Sequence, residues 1–235
     1  MAYLGGKSIG YKKIIQILNN TYFDGKPYIE PFVGYAHILR RVTDKSTYIA
    51  SDSNENLINL LTFIKRSGRY PKITKDEYYK LKTTTNKRLK FRKAFAAFCY
   101  SYCGKEFGGF VEKNEKWGRN YPEQVKRYYD KIRSNEIFMK SKLHKGDYTM
   151  WMKAVGSVIY CDPPYENTTR YGNNNFDHSL FWKNMRKLSK RNWVFISEYS
   201  APPDFFCISS TSKNSSIRGA GAVDARIENV YIHKS

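Results

Sequence analysis

Ser157-Val158-Ile159-Tyr160-Cys161-Asp162-Pro163-Pro164-Tyr165 is an apolar run that ends in an acid, two prolines and an aromatic ring. The run has the length and β-branched content of a short parallel strand. Pro163 and Pro164 lack N–H groups and cannot extend a sheet ladder, so the chain must leave the sheet at the strand's carboxyl end. In open α/β sheets ligands bind at that edge. The Asp162 carboxylate, the prolyl carbonyls and the Tyr165 ring are then gathered in one cleft. A plain turn after a strand uses the same residue types, so the loop alone leaves a structural and a functional reading open.

Upstream, Tyr28-Ile29-Glu30-Pro31-Phe32-Val33-Gly34-Tyr35-Ala36 reads as a strand ending in an acid and a glycine turn, followed by a helix-like stretch from His37 to Val42. About twenty residues further on, Thr47 to Asp52 is a second strand ending in an acid. An acid there suits ribose hydroxyls, and the glycine turn lets a ligand approach the backbone. With Ser53, Asn54 and Glu55 following it, Asp52 reads as both helix cap and ligand. Near the start, Tyr3-Leu4-Gly5-Gly6-Lys7-Ser8 precedes an amphipathic stretch at Ile14-Ile15 and Ile17-Leu18. Its paired glycines and lysine suit an anion, although the spacing is not that of the phosphate-binding P-loop.

In this order the segments resemble the Dam-type adenine-specific DNA methyltransferases, which use S-adenosylmethionine. The matching motifs are Tyr3 to Lys7, Glu30 to Gly34, Asp52, and Asp162 to Tyr165, with Ser215-Ser216, Arg218-Gly219 and a closing strand Glu228-Asn229-Val230-Tyr231-Ile232 at the end. The resemblance covers both ends of the chain and only loosely its middle. It implies that Tyr3, Lys7, Glu30, Pro31, Phe32, Gly34, Asp52 and Asp162 contact the cofactor, and that Asp162, Pro163, Pro164 and Tyr165 hold an adenine flipped out of double-stranded DNA. The chemistry fits the residue types. Adenine's exocyclic amine is a poor nucleophile because its lone pair is delocalised, and it improves when acceptors hold both N–H groups as nitrogen pyramidalises. Asp162 can take one hydrogen bond and a prolyl carbonyl the other, while Tyr165 stacks on the base. The chain departs from the family where Ala36 replaces a second glycine, which adds a methyl and removes easy access to positive φ.

The chain has 235 residues, with 41 Lys plus Arg against 21 Asp plus Glu, a net charge of +20. A charge this large favours a polyanionic partner. No apolar stretch approaches the roughly 20 residues needed to span a bilayer, and no secretory apolar core stands at the N-terminus, so a soluble, intracellular protein is expected. Four cysteines and four scattered histidines form no metal or disulfide pattern, and no metal is expected.

From about Lys65 to Tyr148 the character changes. Lys87, Arg88, Lys90, Arg92 and Lys93 lie beside Phe91, Phe95, Phe98 and Tyr102, whose helical spacing reads as a core-facing stripe with the basic residues turned to phosphate. The loop from Gly104 to Phe110 and the run from Lys113 to Asn120 read as a mobile hairpin and recognition loop, with Lys105, Lys116 and Arg119 as DNA contacts, joined by Arg170 and Arg218. Residues 169–176 read as a loop over the site. The expected architecture is a doubly wound, Rossmann-like α/β methyltransferase core from residues 1–64 and 149–235, interrupted by a mainly helical DNA-recognition insertion at 65–148. The alternatives are an RNA adenine methyltransferase, whose relatives often begin the loop with Asn, and a noncatalytic DNA-binding protein, which needs neither Asp162 nor Tyr165 in a Pro-Pro loop.

Overall fold

The structure, a computed structural model, describes residues 11–111, 121–166, 176–213 and 226–234. Tyr3, Lys7, Lys116, Arg119, Arg170 and Arg218, and the loop expected from residue 169 up to 175, lie outside them. Seven strands form one sheet: β1 (Tyr28–Glu30), β2 (Tyr48–Asp52), β3 (Lys142–Lys145), β4 (Val158–Cys161), β5 (Trp193–Glu198), β6 (Phe205–Lys213) and β7 (Arg226–His233), in the order β3-β2-β1-β4-β5-β7-β6. The first five are mutually parallel, and β7 runs antiparallel between β5 and β6. From β1 the chain adds strands on one side and then returns to place β4 on the other. The boundary between β1 and β4 is therefore the topological switch point, where such sheets bind ligands.

Alternation along β4 shows why the sheet is doubly covered. Val158 and Tyr160 enter one apolar cluster, shared with α1 (Tyr11–Leu18), α2 (Glu55–Arg66), α4 (Lys90–Cys99) and α5 (Tyr121–Arg133). Ile159 and Cys161 enter a second, shared with α7 (His178–Ser189). All four residues are fully buried, as a parallel strand packed on both faces requires. Two further helices, α3 (Lys75–Thr83) and α6 (Glu136–Lys140), complete a helical stretch that runs from α3 to α6. Edge strand β3 falls within the interval 65–148 and pairs with β2. Among the described residues no helix is long and apolar enough to cross a membrane.

Two local expectations are corrected. The helix-like stretch from His37 to Val42 is only a 3-10 turn at Leu39–Arg41, because Gly34 and Ala36 both sit at positive φ (49° and 55°) and break right-handed winding just before it. The Phe95 and Phe98 stripe is core, but α4 ends at Cys99, so Tyr102 leaves the stripe and is exposed.

Two buried titratable groups set opposite pH limits on this fold. Burial, with Arg40 and Arg41 adding, lowers His37 to about 3. Burial also lifts the Glu198 carboxyl up to about 7. His37 therefore contributes stability that is present above its ordinary value of 6.5 and lost as pH falls toward about 3. Glu198 contributes stability that is present below its ordinary 4.5 and lost as pH rises toward about 7. At about 1.4 kcal/mol per unit, each contribution is on the order of a few kcal/mol. The expected result is that Glu198→Gln gives a midpoint of urea unfolding less sensitive to rising pH than wild type, while His37→Gln gives one less sensitive to falling pH. Identical pH dependence in all three proteins contradicts this assignment.

Candidate active site

The turn after β1 is tied to the end of β2 by backbone geometry. Val33 N–H donates to the Ser51 carbonyl at 2.9 Å, and Ser51 Oγ donates to the Pro31 carbonyl at 3.3 Å while accepting from Trp151 Nε1 at 2.8 Å. Gly34 N–H donates to Asp52 Oδ2 at 3.1 Å. A Cβ built on Gly34 meets no atom within 4 Å, so open space faces this backbone, and its φ of +49° suits glycine. Ala36 adopts φ +55° with its methyl fully buried in the core, so the residue that replaces a glycine carries left-handed strain here and returns some of it as packing.

Asp52 ends β2, as its run indicated, with both carboxylate oxygens facing N–H donors: Gly34 on Oδ2 and Asn54 on Oδ1 at 2.9 Å. Burial raises its carboxyl against these two hydrogen bonds. Asp52 is not the helix cap. Asn54 caps α2, its Oδ1 accepting from Leu57 N–H at 3.0 Å, because the cap must sit in extended backbone one residue before the first turn. Glu30 is only 2% exposed and accepts from Tyr28 Oη at 2.8 Å. Burial pushes its carboxyl well up, and nearby Asp162 and Asp52 push the same way. Pro31 is buried, and Phe32 stacks on Tyr148 at 5.7 Å and meets Phe176 and Phe181 edge-on, so this pair anchors the turn to the α7 side of the core.

Across the switch point, Asp162 follows β4 and is half-buried, Pro163 is buried, Pro164 is exposed and Tyr165 is half-buried. Beneath them Tyr160 Oη and Ser197 Oγ are 2.7 Å apart. Tyr165 Oη donates to Glu228 Oε1 at 2.5 Å, and its ring meets Tyr199 edge-on at 4.7 Å. Burial raises the Tyr165 phenol well above its ordinary value, with Asp162 and Tyr160 adding, so it stays a donor. The structure thus brings Glu30, Gly34, Asp52, Asp162 and Tyr165 to one edge of the sheet.

Two acids at this edge were given no role by the sequence. Glu198, 2% exposed, ends β5 and accepts from Tyr199 N–H at 2.8 Å. An acid closing an apolar strand run is the same signal that marked Asp52, so it was available. Glu228, 4% exposed on β7, was legible as part of the closing strand, but its contact with Tyr165, 63 residues away, had no local signal.

The basic residues divide into two groups. Lys87, Arg88 and Lys90 are exposed, and Lys105 is exposed too. Arg92 is not free for phosphate: its Nε and Nη2 both engage Glu77, and Nη2 also donates to the Lys72 carbonyl at 3.2 Å. Lys93 donates to the Thr84 carbonyl at 2.8 Å. The hairpin from Gly104 to Phe110, expected to be mobile, is pinned. Glu106 accepts from Asn54 Nδ2 at 2.8 Å and Asn56 Nδ2 at 2.5 Å, and Phe107 N–H donates to the Ala97 carbonyl at 2.9 Å. The exposed cations adjoin the strand-end edge: the Glu55 carboxyl, at the start of α2, is held low first by Lys145 and then by Lys90 and Lys87.

A doubly wound sheet, a glycine turn against an acid at one strand end and an Asp-Pro-Pro-Tyr loop at the next define the candidate site of this α/β fold. Residues 3–200 match the D12 class N6 adenine-specific DNA methyltransferases, and the chain belongs to that family. It is 31% identical over 176 residues to the DNA adenine methylase of Serratia marcescens, covering 63% of each chain. It is 26% identical over 166 residues to the Retron Ec67 DNA adenine methylase of Escherichia coli, covering 61% of this chain and 56% of that one. The matches therefore span less than two thirds of these relatives' lengths. Among solved structures, the rRNA methyltransferase aviRa of Streptomyces viridochromogenes aligns with a TM-score of 0.43 at 10% identity, over 99% of this chain and 88% of that one.

Proposed function

We propose that the chain transfers a methyl group from S-adenosylmethionine to the 6-amino group of adenine in double-stranded DNA. The carrying observation is the Asp162-Pro163-Pro164-Tyr165 loop, held at the switch point beside an open glycine turn and a strand-end acid. The cofactor fits this edge: Gly34 leaves room for close approach, and Asp52 keeps lone pairs for ribose hydroxyls beyond its two N–H bonds. When bound, it supplies an electrophilic methyl on sulfonium sulfur. Asp162 and a prolyl carbonyl accept from the adenine amine as its nitrogen becomes tetrahedral, which stabilises positive charge that develops only in the transition state. Tyr165 supplies a face for the extruded base. The helical stretch from α3 to α6 serves as the recognition insertion on the core from 1–64 and 149–235, with β3 kept in the sheet.

Incubation with labelled S-adenosylmethionine and separate DNA and RNA substrates tests the reading. Label in DNA is expected, and label confined to RNA, or in neither, overturns it.

The exposed cations carry a second expectation. Neutralising Lys87, Arg88 and Lys90 together should weaken DNA binding across all sequences and flatten the plot of log affinity against log salt by about one unit for each phosphate that is no longer paired. Neutralising Arg92 instead should lower stability, because it leaves Glu77 without its bidentate partner. An unchanged affinity and salt slope in the triple variant moves the DNA-binding face elsewhere.

A further inference from the structure

We propose that Glu228 on β7 is a positioning residue for methyl transfer, holding the Tyr165 ring in place for the extruded base before DNA arrives. The inference rests on the function proposed above and concerns a residue of the closing strand to which the resemblance assigns no role.

The loop carrying Tyr165 cannot fix the ring by its own backbone, since the two preceding residues are prolines without N–H groups. Side chains do the fixing: the Tyr165 hydroxyl meets Asp162 of its own loop and an acid of β7. Tyr165 Oη donates to Glu228 Oε1 at 2.5 Å, the short O–H···O distance of a charge-assisted hydrogen bond. Glu228 is 4% exposed and is itself held by the ladder, opposite Thr211 of β6. A buried acid at this depth is costly unless a donor meets it, and the phenol is such a donor.

The next residue of β7 steadies the aromatic neighbour of that ring. Asn229 lies opposite Glu198 in the β5–β7 ladder, and its Nδ2 donates to the Tyr199 carbonyl at 3.0 Å. Tyr231 Oη donates to that carbonyl at 3.2 Å and accepts from Asn229 Nδ2 at 2.9 Å. Tyr199 in turn meets the Tyr165 ring edge-on at 4.7 Å. One strand, through Glu228, Asn229 and Tyr231, therefore restrains Tyr165 by its hydroxyl and by its aromatic neighbour. A ring already ordered gives up less freedom when a base stacks on it, so the gain appears in the reacting complex.

The test uses the full chain, labelled S-adenosylmethionine and double-stranded DNA free of methylated adenine. Glu228→Ala removes the hydrogen bond to the Tyr165 hydroxyl, and Tyr165→Phe removes it together with the hydroxyl's hydrogen bond to Asp162. Each is expected to lower kcat about 10-fold or more, and to change KM for DNA by no more than about threefold in either direction. The double variant should be no slower than Tyr165→Phe alone, because the bond to Glu228 is already absent there. Glu228→Gln keeps an acceptor and should recover most of the rate. If Glu228→Ala fails to fold, Tyr165→Phe and Glu228→Gln still decide the matter. Wild-type kcat in Glu228→Ala or in Tyr165→Phe, or losses that add in the double variant, overturns the inference while the proposed function stands. A wild-type protein that leaves DNA adenine unmethylated overturns the function, and the inference with it.

Discussion

Asp162→Ala is expected to lower methyl transfer by about 100-fold or more, the usual consequence of removing one preorganised acceptor from a transition state. Asp162 leaves a fully buried strand at the switch point, where its position is set by β4 rather than by a free loop. It is half-buried rather than a core residue, so its removal should leave the fold intact and the loss should appear in turnover at saturating cofactor. Single-turnover methylation, with circular dichroism as the folding control, measures this. A folded variant with near wild-type turnover would remove Asp162 from the chemistry.

Asp52→Ala is expected to weaken S-adenosylmethionine binding by about 1.5–3 kcal/mol, since a charged acceptor facing ribose is removed. That corresponds to roughly 10- to 150-fold in Kd. Part of the effect comes through the protein itself, because Asp52 holds Gly34 N–H and Asn54 N–H and so shapes the turn proposed to meet the cofactor. Asp52→Asn retains one acceptor oxygen and should fall between wild type and alanine. Isothermal titration calorimetry on folded variants reads the difference. Unchanged affinity places the ribose contact on another residue.

The elements that were legible in the sequence are those whose signal is local. The strand run before Asp162 and the acid ending β2 were readable because strand length, β-branching and proline are properties of neighbours in the chain. Glu30, Gly34, Asp52, Asp162 and Tyr165 were named from those runs, and the sheet brings them to one edge. The helix expected after Ala36 failed because departures to positive φ at Gly34 and Ala36 outweighed apolar spacing. Arg92 and Lys93 read as free cations because their partners, Glu77 and the Thr84 carbonyl, lie 15 and 9 residues away across a helix pair. The pinned hairpin was hidden for the same reason, since Glu106 reaches back about fifty residues to α2. Glu228 shows the limit most clearly: its closing strand was legible, but the tyrosine hydroxyl that folding places against it was not.

The central claim is that this edge of the sheet methylates the exocyclic amine of adenine in DNA. The most direct test is to incubate the purified chain with S-adenosylmethionine and unmethylated double-stranded DNA, digest the product to nucleosides and identify the methylated one by mass spectrometry. N6-methyldeoxyadenosine, absent from a parallel Asp162→Ala reaction, is the result expected. Methylated cytosine, or no methylated nucleoside from a folded protein that binds the cofactor, would contradict the account.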